Sequence, residues 1–89
     1  MQRVSEDMHA WLTAIGAVCY GVDRLEYGEA ADGVLVKFFL GAKLAAECCL
    51  GGRLLIFYDY LGSEEAKRLL GAFAIQNAMD FHYRREKVA

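Results

Sequence analysis

Three short dipeptides, Asp32-Gly33, Gly41-Ala42 and Gly51-Gly52, separate runs rich in Val, Leu, Phe and Tyr across residues 25–61. Two turn-forming residues between apolar runs are the local signature of a β-hairpin. Three in succession predict a four-stranded antiparallel meander. The turns also set a register, since a tight loop pairs the residues that flank it. Ala31 is expected opposite Val34, Tyr27 opposite Phe38, Phe38 opposite Ala45, Val36 opposite Glu47, and Glu47 opposite Ile56.

Side chains alternate along a strand, so this register sorts the meander into two faces. The first carries Leu25, Tyr27, Val34, Val36, Phe38, Leu40, Cys49, Leu54, Ile56, Tyr58 and Tyr60, with Glu29 and Glu47 among them. The second carries Gly28, Ala30, Leu35, Phe39, Leu44, Ala46, Cys48, Leu50, Leu55, Phe57 and Leu61. Both are apolar. Small residues in the middle of the second face admit a close-packed helix, so the helices are expected there and the first face is left uncovered.

Two helices flank the meander. Ser5 reads as an N-cap, with Glu6 and Asp7 placed where the helix dipole favours negative charge. Met8, Trp11, Leu12 and Ile15 recur at helical spacing up to a stop at Gly21. Ser63 caps a second helix that starts with Glu64 and Glu65 and is expected to run to about residue 83 on the same period of about 3.6 residues. Its stripe is Ala66, Leu69, Leu70, Phe73, Ala74, Asn77 and Phe81, with Asn77 expected to satisfy a backbone group.

The 89 residues are read as one α+β domain. A chain this short hides only roughly 60–65% of its unfolded surface. Yet 56% of its residues are hydrophobic, which argues for association, expected to be an obligate homodimer formed through the first face or the strand-four edge. Ten Lys and Arg against twelve Asp and Glu give a net charge of −2, and such a balance disfavours nucleic acid as the main partner. Apolar stretches are broken by Gly and too short for a membrane span. Arg3, Glu6 and Asp7 interrupt any signal-peptide pattern. Three cysteines, an odd number, fit no secreted disulfide framework, so a cytoplasmic location is expected.

No residues point to a reaction. Cys48 and Cys49 are neighbours on a strand and face opposite ways, so they cannot chelate one ion; with Cys19 they are read as packing residues. His9 and His82 lie near opposite ends of the chain and are read as exposed helix residues. Ser5 and Ser63 are occupied as caps, and the glycines match no phosphate-binding pattern. Glu29 and Glu47 flank Val36 about two strand spacings (~9.6 Å) apart. Walled by Tyr27, Phe38, Tyr58 and Tyr60, they suit a cationic ligand better than a catalytic pair, and both roles rank below the plainer one in which Glu29 guards an edge strand and Glu47 pairs with a partner's Lys or Arg. Arg84, Arg85 and Lys87 form a small basic group that could meet RNA.

The order helix, antiparallel meander, helix resembles the double-stranded-RNA-binding domains and the small Alu-binding subunits of signal recognition particle. Gly62-Ser63-Glu64-Glu65-Ala66-Lys67 is similar to the start of the last helix of the RNA-binding domains. Glu64 and Glu65 stand where that family carries phosphate-contacting lysines, so the resemblance implies topology and no RNA function. The expected function is a small non-enzymatic protein-interaction module of accessory or inhibitor type. Its contact face is Tyr27, Glu29, Val36, Phe38, Glu47, Ile56, Tyr58 and Tyr60, and it needs no cofactor or metal. A binder of an apolar or cationic small molecule is the alternative, and a weak RNA contact the third.

Overall fold

In the computed structural model, which describes residues 4–85, two helices and five strands follow in the order α1 (Glu6–Tyr20), β1 (Arg24–Ala30), β2 (Gly33–Leu40), β3 (Lys43–Gly51), β4 (Leu54–Asp59), α2 (Glu64–Gln76) and β5 (Asp80–Arg84). The strands form one sheet in chain order, antiparallel from β1 to β4 and parallel between β4 and β5. The α+β class agrees with the expectation. The strand count does not.

The second helix stops at Gln76, and residues expected in its last turns form β5 beside β4. The strand-four edge is therefore occupied, and among the described residues the free edges are β1 and β5. No glycine marks this stop. Asn77 caps the helix, its side-chain amide donating to the Phe73 carbonyl at 2.9 Å, and Ala78 then turns the chain with φ 53°. Phe81 and Tyr83 alternate with exposed Asp80, His82 and Arg84, the period of a half-buried strand. His82 thus lies on a strand, not on a helix. The parallel β4–α2–β5 unit also sets the fold apart from the helix–meander–helix order it resembles.

Both helices cover one side of the sheet. Ser5 Oγ accepts the Met8 N–H at 3.1 Å, and Gly21 closes α1 with φ 64°. Leu12 and Tyr20 of α1 and Ala66 and Leu70 of α2 share one buried cluster with Val34, Val36, Phe38, Ala46, Cys48, Leu55 and Phe57. Gly16 sets how closely α1 sits: a Cβ there would lie 2.5 Å from Val22 Cγ2 and 3.0 Å from the Phe38 ring. Trp11 stacks on Phe73 at 3.8 Å between ring centroids, joining the helices.

The faces differ from the expected ones for one reason. Between Phe38 and Phe39 the β2–β3 register shifts. Phe39 pairs with Leu44 but Phe38 with Ala46, so Ala45 and Ala46 both oppose Phe38 in a β-bulge. A shift of one residue reverses which faces meet. From the bulge onward Val36 pairs with Cys48, and Lys37 with Glu47. Val36 and Phe38, expected on the uncovered face, are fully buried beneath the helices. Leu35, Phe39 and Leu44, expected beneath the helices, lie on the uncovered side. Ile56 stays uncovered as expected.

The outer hairpins are displaced by two residues, which preserves their faces. Ala30 pairs with Gly33, and Gly51 with Leu54, leaving Ala31-Asp32 and Gly52-Arg53 as loops. Gly33 and Gly51 are strand positions, not turn residues. A Cβ on Gly33 would lie 1.9 Å from the Leu50 carbonyl oxygen, and one on Gly51 would lie 2.2 Å from that of Asp32.

Since Ala78 holds a left-handed conformation that penalises a side chain, Ala78→Gly should raise stability by about 0.5–1 kcal/mol. Urea denaturation followed by circular dichroism measures the shift.

Candidate functional site

The uncovered side of the sheet is organised as cross-strand rows. Glu26, Lys37, Glu47, Tyr58 and Arg84 form one, running from β1 to β5. Gly28, Leu35, Cys49, Ile56 and His82 form the next. Leu35, Phe39, Leu44, Cys49, Leu54, Ile56 and Tyr58 are all half-buried, so this face offers apolar surface without a helix over it. At one corner the Arg24 guanidinium lies 4.4 Å above the Phe39 ring and 3.1 Å from Glu26, a cation–π contact at an exposed site.

Glu47 is the buried charge of this face, 6% exposed. The Tyr60 hydroxyl donates to its Oε1 at 3.1 Å. Burial, then this bond, pushes the Tyr60 phenol up from 10.0 to about 12. A phenol held neutral this way is a fixed donor, not a proton acceptor.

A second polar cluster lies on the helix side. Asp59 is fully buried. Its Oδ1 accepts the N–H groups of Leu61 at 3.1 Å and Gly62 at 2.7 Å, and its Oδ2 accepts that of Ser63 at 2.7 Å and the Tyr83 hydroxyl. The carboxylate meets the N-terminal end of α2, where the helix dipole favours negative charge. It folds the loop after β4, presents Ser63 to cap α2, and ties β5 to the same point. The Tyr20 hydroxyl is buried nearby without a partner of good hydrogen-bond geometry among the described residues. Burial first, and Asp59 second, raise both Tyr20 and Tyr83. With its oxygens spent on backbone donors, Asp59 serves as a structural anchor.

The thiols are not poised for chemistry. Burial raises Cys48, and it raises Cys19 against the opposing hydrogen bond to Ser63; a nucleophilic cysteine needs the reverse. Among the described residues no three His, Cys, Asp or Glu side chains converge where they could hold a metal ion. His9 bonds through Nδ1 to the Tyr27 hydroxyl, while His82 lies on the other side of the sheet.

The expected contact face is thus divided. Glu47, Ile56, Tyr58 and Tyr60 come together on the uncovered side. Tyr27 and Glu29 point to the helix side from edge strand β1, and Val36 and Phe38 are core. The Glu29–Glu47 pair is not assembled, because the bulge sends the two carboxylates to opposite faces. The basic group is divided as well: Arg84 rides on the uncovered face, Arg85 lies against Gly62, and Lys87 is outside the described residues. Leu35 and Phe39 are the site residues that turn-based reasoning misplaced, and Lys37 is one it left out. The available signal was Lys37 itself, a charge in mid-strand that marks the wet side of β2.

No protein-family profile, curated protein or solved structure matches this chain. No helix among the described residues is long and apolar enough to cross a membrane.

Because Tyr60 is held neutral up to about pH 12, against 10.0 ordinarily, its contribution to stability is complete below pH 10 and lost as the pH rises from there through 12. Tyr20 and Tyr83 shift in the same direction. Urea midpoints should therefore fall across that alkaline window. The fall should be shallower in Tyr60→Phe, as read by phenolate absorbance and circular dichroism together.

Proposed function

We propose that this chain is a small non-enzymatic protein-interaction module of accessory or inhibitor type that acts as a homodimer through its uncovered sheet face. The observation that carries the reading is the row of half-buried apolar side chains, Leu35, Cys49 and Ile56, bordered by the polar row from Glu26 to Arg84. An apolar centre with a polar border is the anatomy of a protein contact. The Asp59 carboxylate accepts from Leu61, Gly62, Ser63 and Tyr83, and the Glu47 carboxylate accepts from Tyr60, which supports a structural role for both. Cys19, Cys48 and Cys49 form no disulfide with one another, which suits a reducing, cytoplasmic setting.

Magnitudes favour a dissociable dimer over an obligate one. The expectation of obligate association counted Val34, Val36 and Phe38 as exposed, and these are buried by the chain's own helices. Five strands spaced about 4.8 Å apart and averaging about seven residues present a face of roughly 24 by 23 Å. That is below the ~800 Å² per partner of a standard interface, so micromolar affinity is the reasonable scale.

A specific observation favours a second reading. A hollow of about 250 Å³, lined among others by Ala30, Cys49, Leu54 and Ile56, opens on the same face and is of a size to take a small apolar ligand.

Sedimentation velocity across a concentration series decides between a dimer and a monomer. The expected result is a reversible dimer with Kd in the region of about 1–100 μM. A single monomeric species at millimolar concentration contradicts the proposal.

A further inference from the structure

The uncovered face is uneven along its strands. Toward the loops Ala31-Asp32 and Gly52-Arg53 its floor is bare backbone, because Gly33 and Gly51 approach the neighbouring strand too closely to carry a Cβ. This is the floor of the hollow of about 250 Å³, on whose wall Asp32 also sits. Toward the other end the same face carries the raised side chains of Lys37, Tyr58 and Arg84, in one cross-strand row with the buried Glu47. Between the raised half and the hollow half runs the apolar row Leu35, Cys49 and Ile56.

We propose that a second copy of this chain covers the face about a two-fold axis lying along the Leu35–Cys49–Ile56 row, so that the raised row of each copy enters the hollow of the other. The proposal rests on the homodimer reading and adds the axis and the residues that meet. A rotation about this row lays each strand over its own copy in the opposite direction, and sheets packed face to face keep their strands nearly aligned in this manner. Glu47 then lies over the bare backbone at Gly51, and Lys37 over that at Gly33. Volume missing from one half of the face is supplied by the other.

Charge selects the same axis. Arg84 and Asp80 stand two positions either side of the row on β5, one in line with Tyr58 and the other with Leu54. The rotation therefore sets Arg84 over the other copy's Asp80, twice per dimer, and brings Lys37 toward the other copy's Asp32. An axis along the strands, centred on β3, would instead bring the two Glu47 carboxylates face to face, a like-charge contact that disfavours that arrangement. Isologous pairing of this kind closes on itself and does not propagate into fibres.

The axis makes Cys49 meet its own copy, while Cys48 points into the core and Cys19 belongs to the helix side. Treating the wild-type protein with a short bismaleimide should yield a covalent dimer that persists in Cys19→Ser and disappears in Cys49→Ser. Ile56→Arg should weaken the dimer at least about 100-fold in sedimentation, with the circular dichroism of the wild type. A dimer that survives Ile56→Arg and gives no cross-link through Cys49 overturns this axis and the sheet-face contact, and leaves dimerisation itself standing. A protein that is monomeric at every concentration overturns both. An apolar dye held in the hollow of such a monomer, and lost in Ile56→Arg, assigns the face to a small ligand.

Discussion

One extra residue in β3 organises this molecule. Before the bulge, Leu40 pairs with Lys43 and Phe39 with Leu44; after it, every residue of β2 meets a partner one place further along. The consequence is electrostatic as much as steric. Lys37 and Glu47 are charges in the middle of adjacent strands, and an unshifted ladder would put them on opposite faces. One would then lie beneath the helices, where an unpaired charge costs several kcal/mol. The bulge brings both to the uncovered side as cross-strand partners. The same shift delivers Val34, Val36 and Phe38 to the core.

The core then dictates the remaining architecture. Phe38 contacts Phe57 across the sheet at 5.6 Å between centroids, and Gly16 brings α1 down onto the same ring. β4 would be a long apolar edge open to aggregation, and the chain covers it with β5. Asp59 is the joint that makes this possible, since one carboxylate holds the start of α2 and the Tyr83 hydroxyl of β5. The face left uncovered is what remains once those demands are met, and it is neither fully polar nor fully apolar.

Much of this was legible in the residues. Ser5 and Ser63 cap helices, Gly21 ends one, and the antiparallel strands fall where alternation indicated, with two of their three turns offset by one residue. Three features were not. The bulge falls on Ala45-Ala46, two small residues with no glycine or other local mark, and only the Lys37–Glu47 pairing betrays it. The end of α2 lacks the usual glycine because Asn77 and Ala78 make the turn. β5 was hidden because Phe81 continues the helical stripe of Ala74 and Asn77 as well as it begins a strand. Each miss has the same physical origin: a choice decided by distant packing and not by local preference. The candidate site suffered most, since it depends on which face each strand shows, and that parity turns on a single residue.

The most direct measurement is the pattern of cross-strand backbone nuclear Overhauser effects between β2 and β3. This account predicts contacts of Lys37 with Glu47 and of Val36 with Cys48, with Ala45 and Ala46 both near Phe38. Contacts of Val36 with Glu47 and of Val34 with Cys49 would contradict it, because they describe an unbroken ladder with Val36 and Phe38 on the face of Glu47.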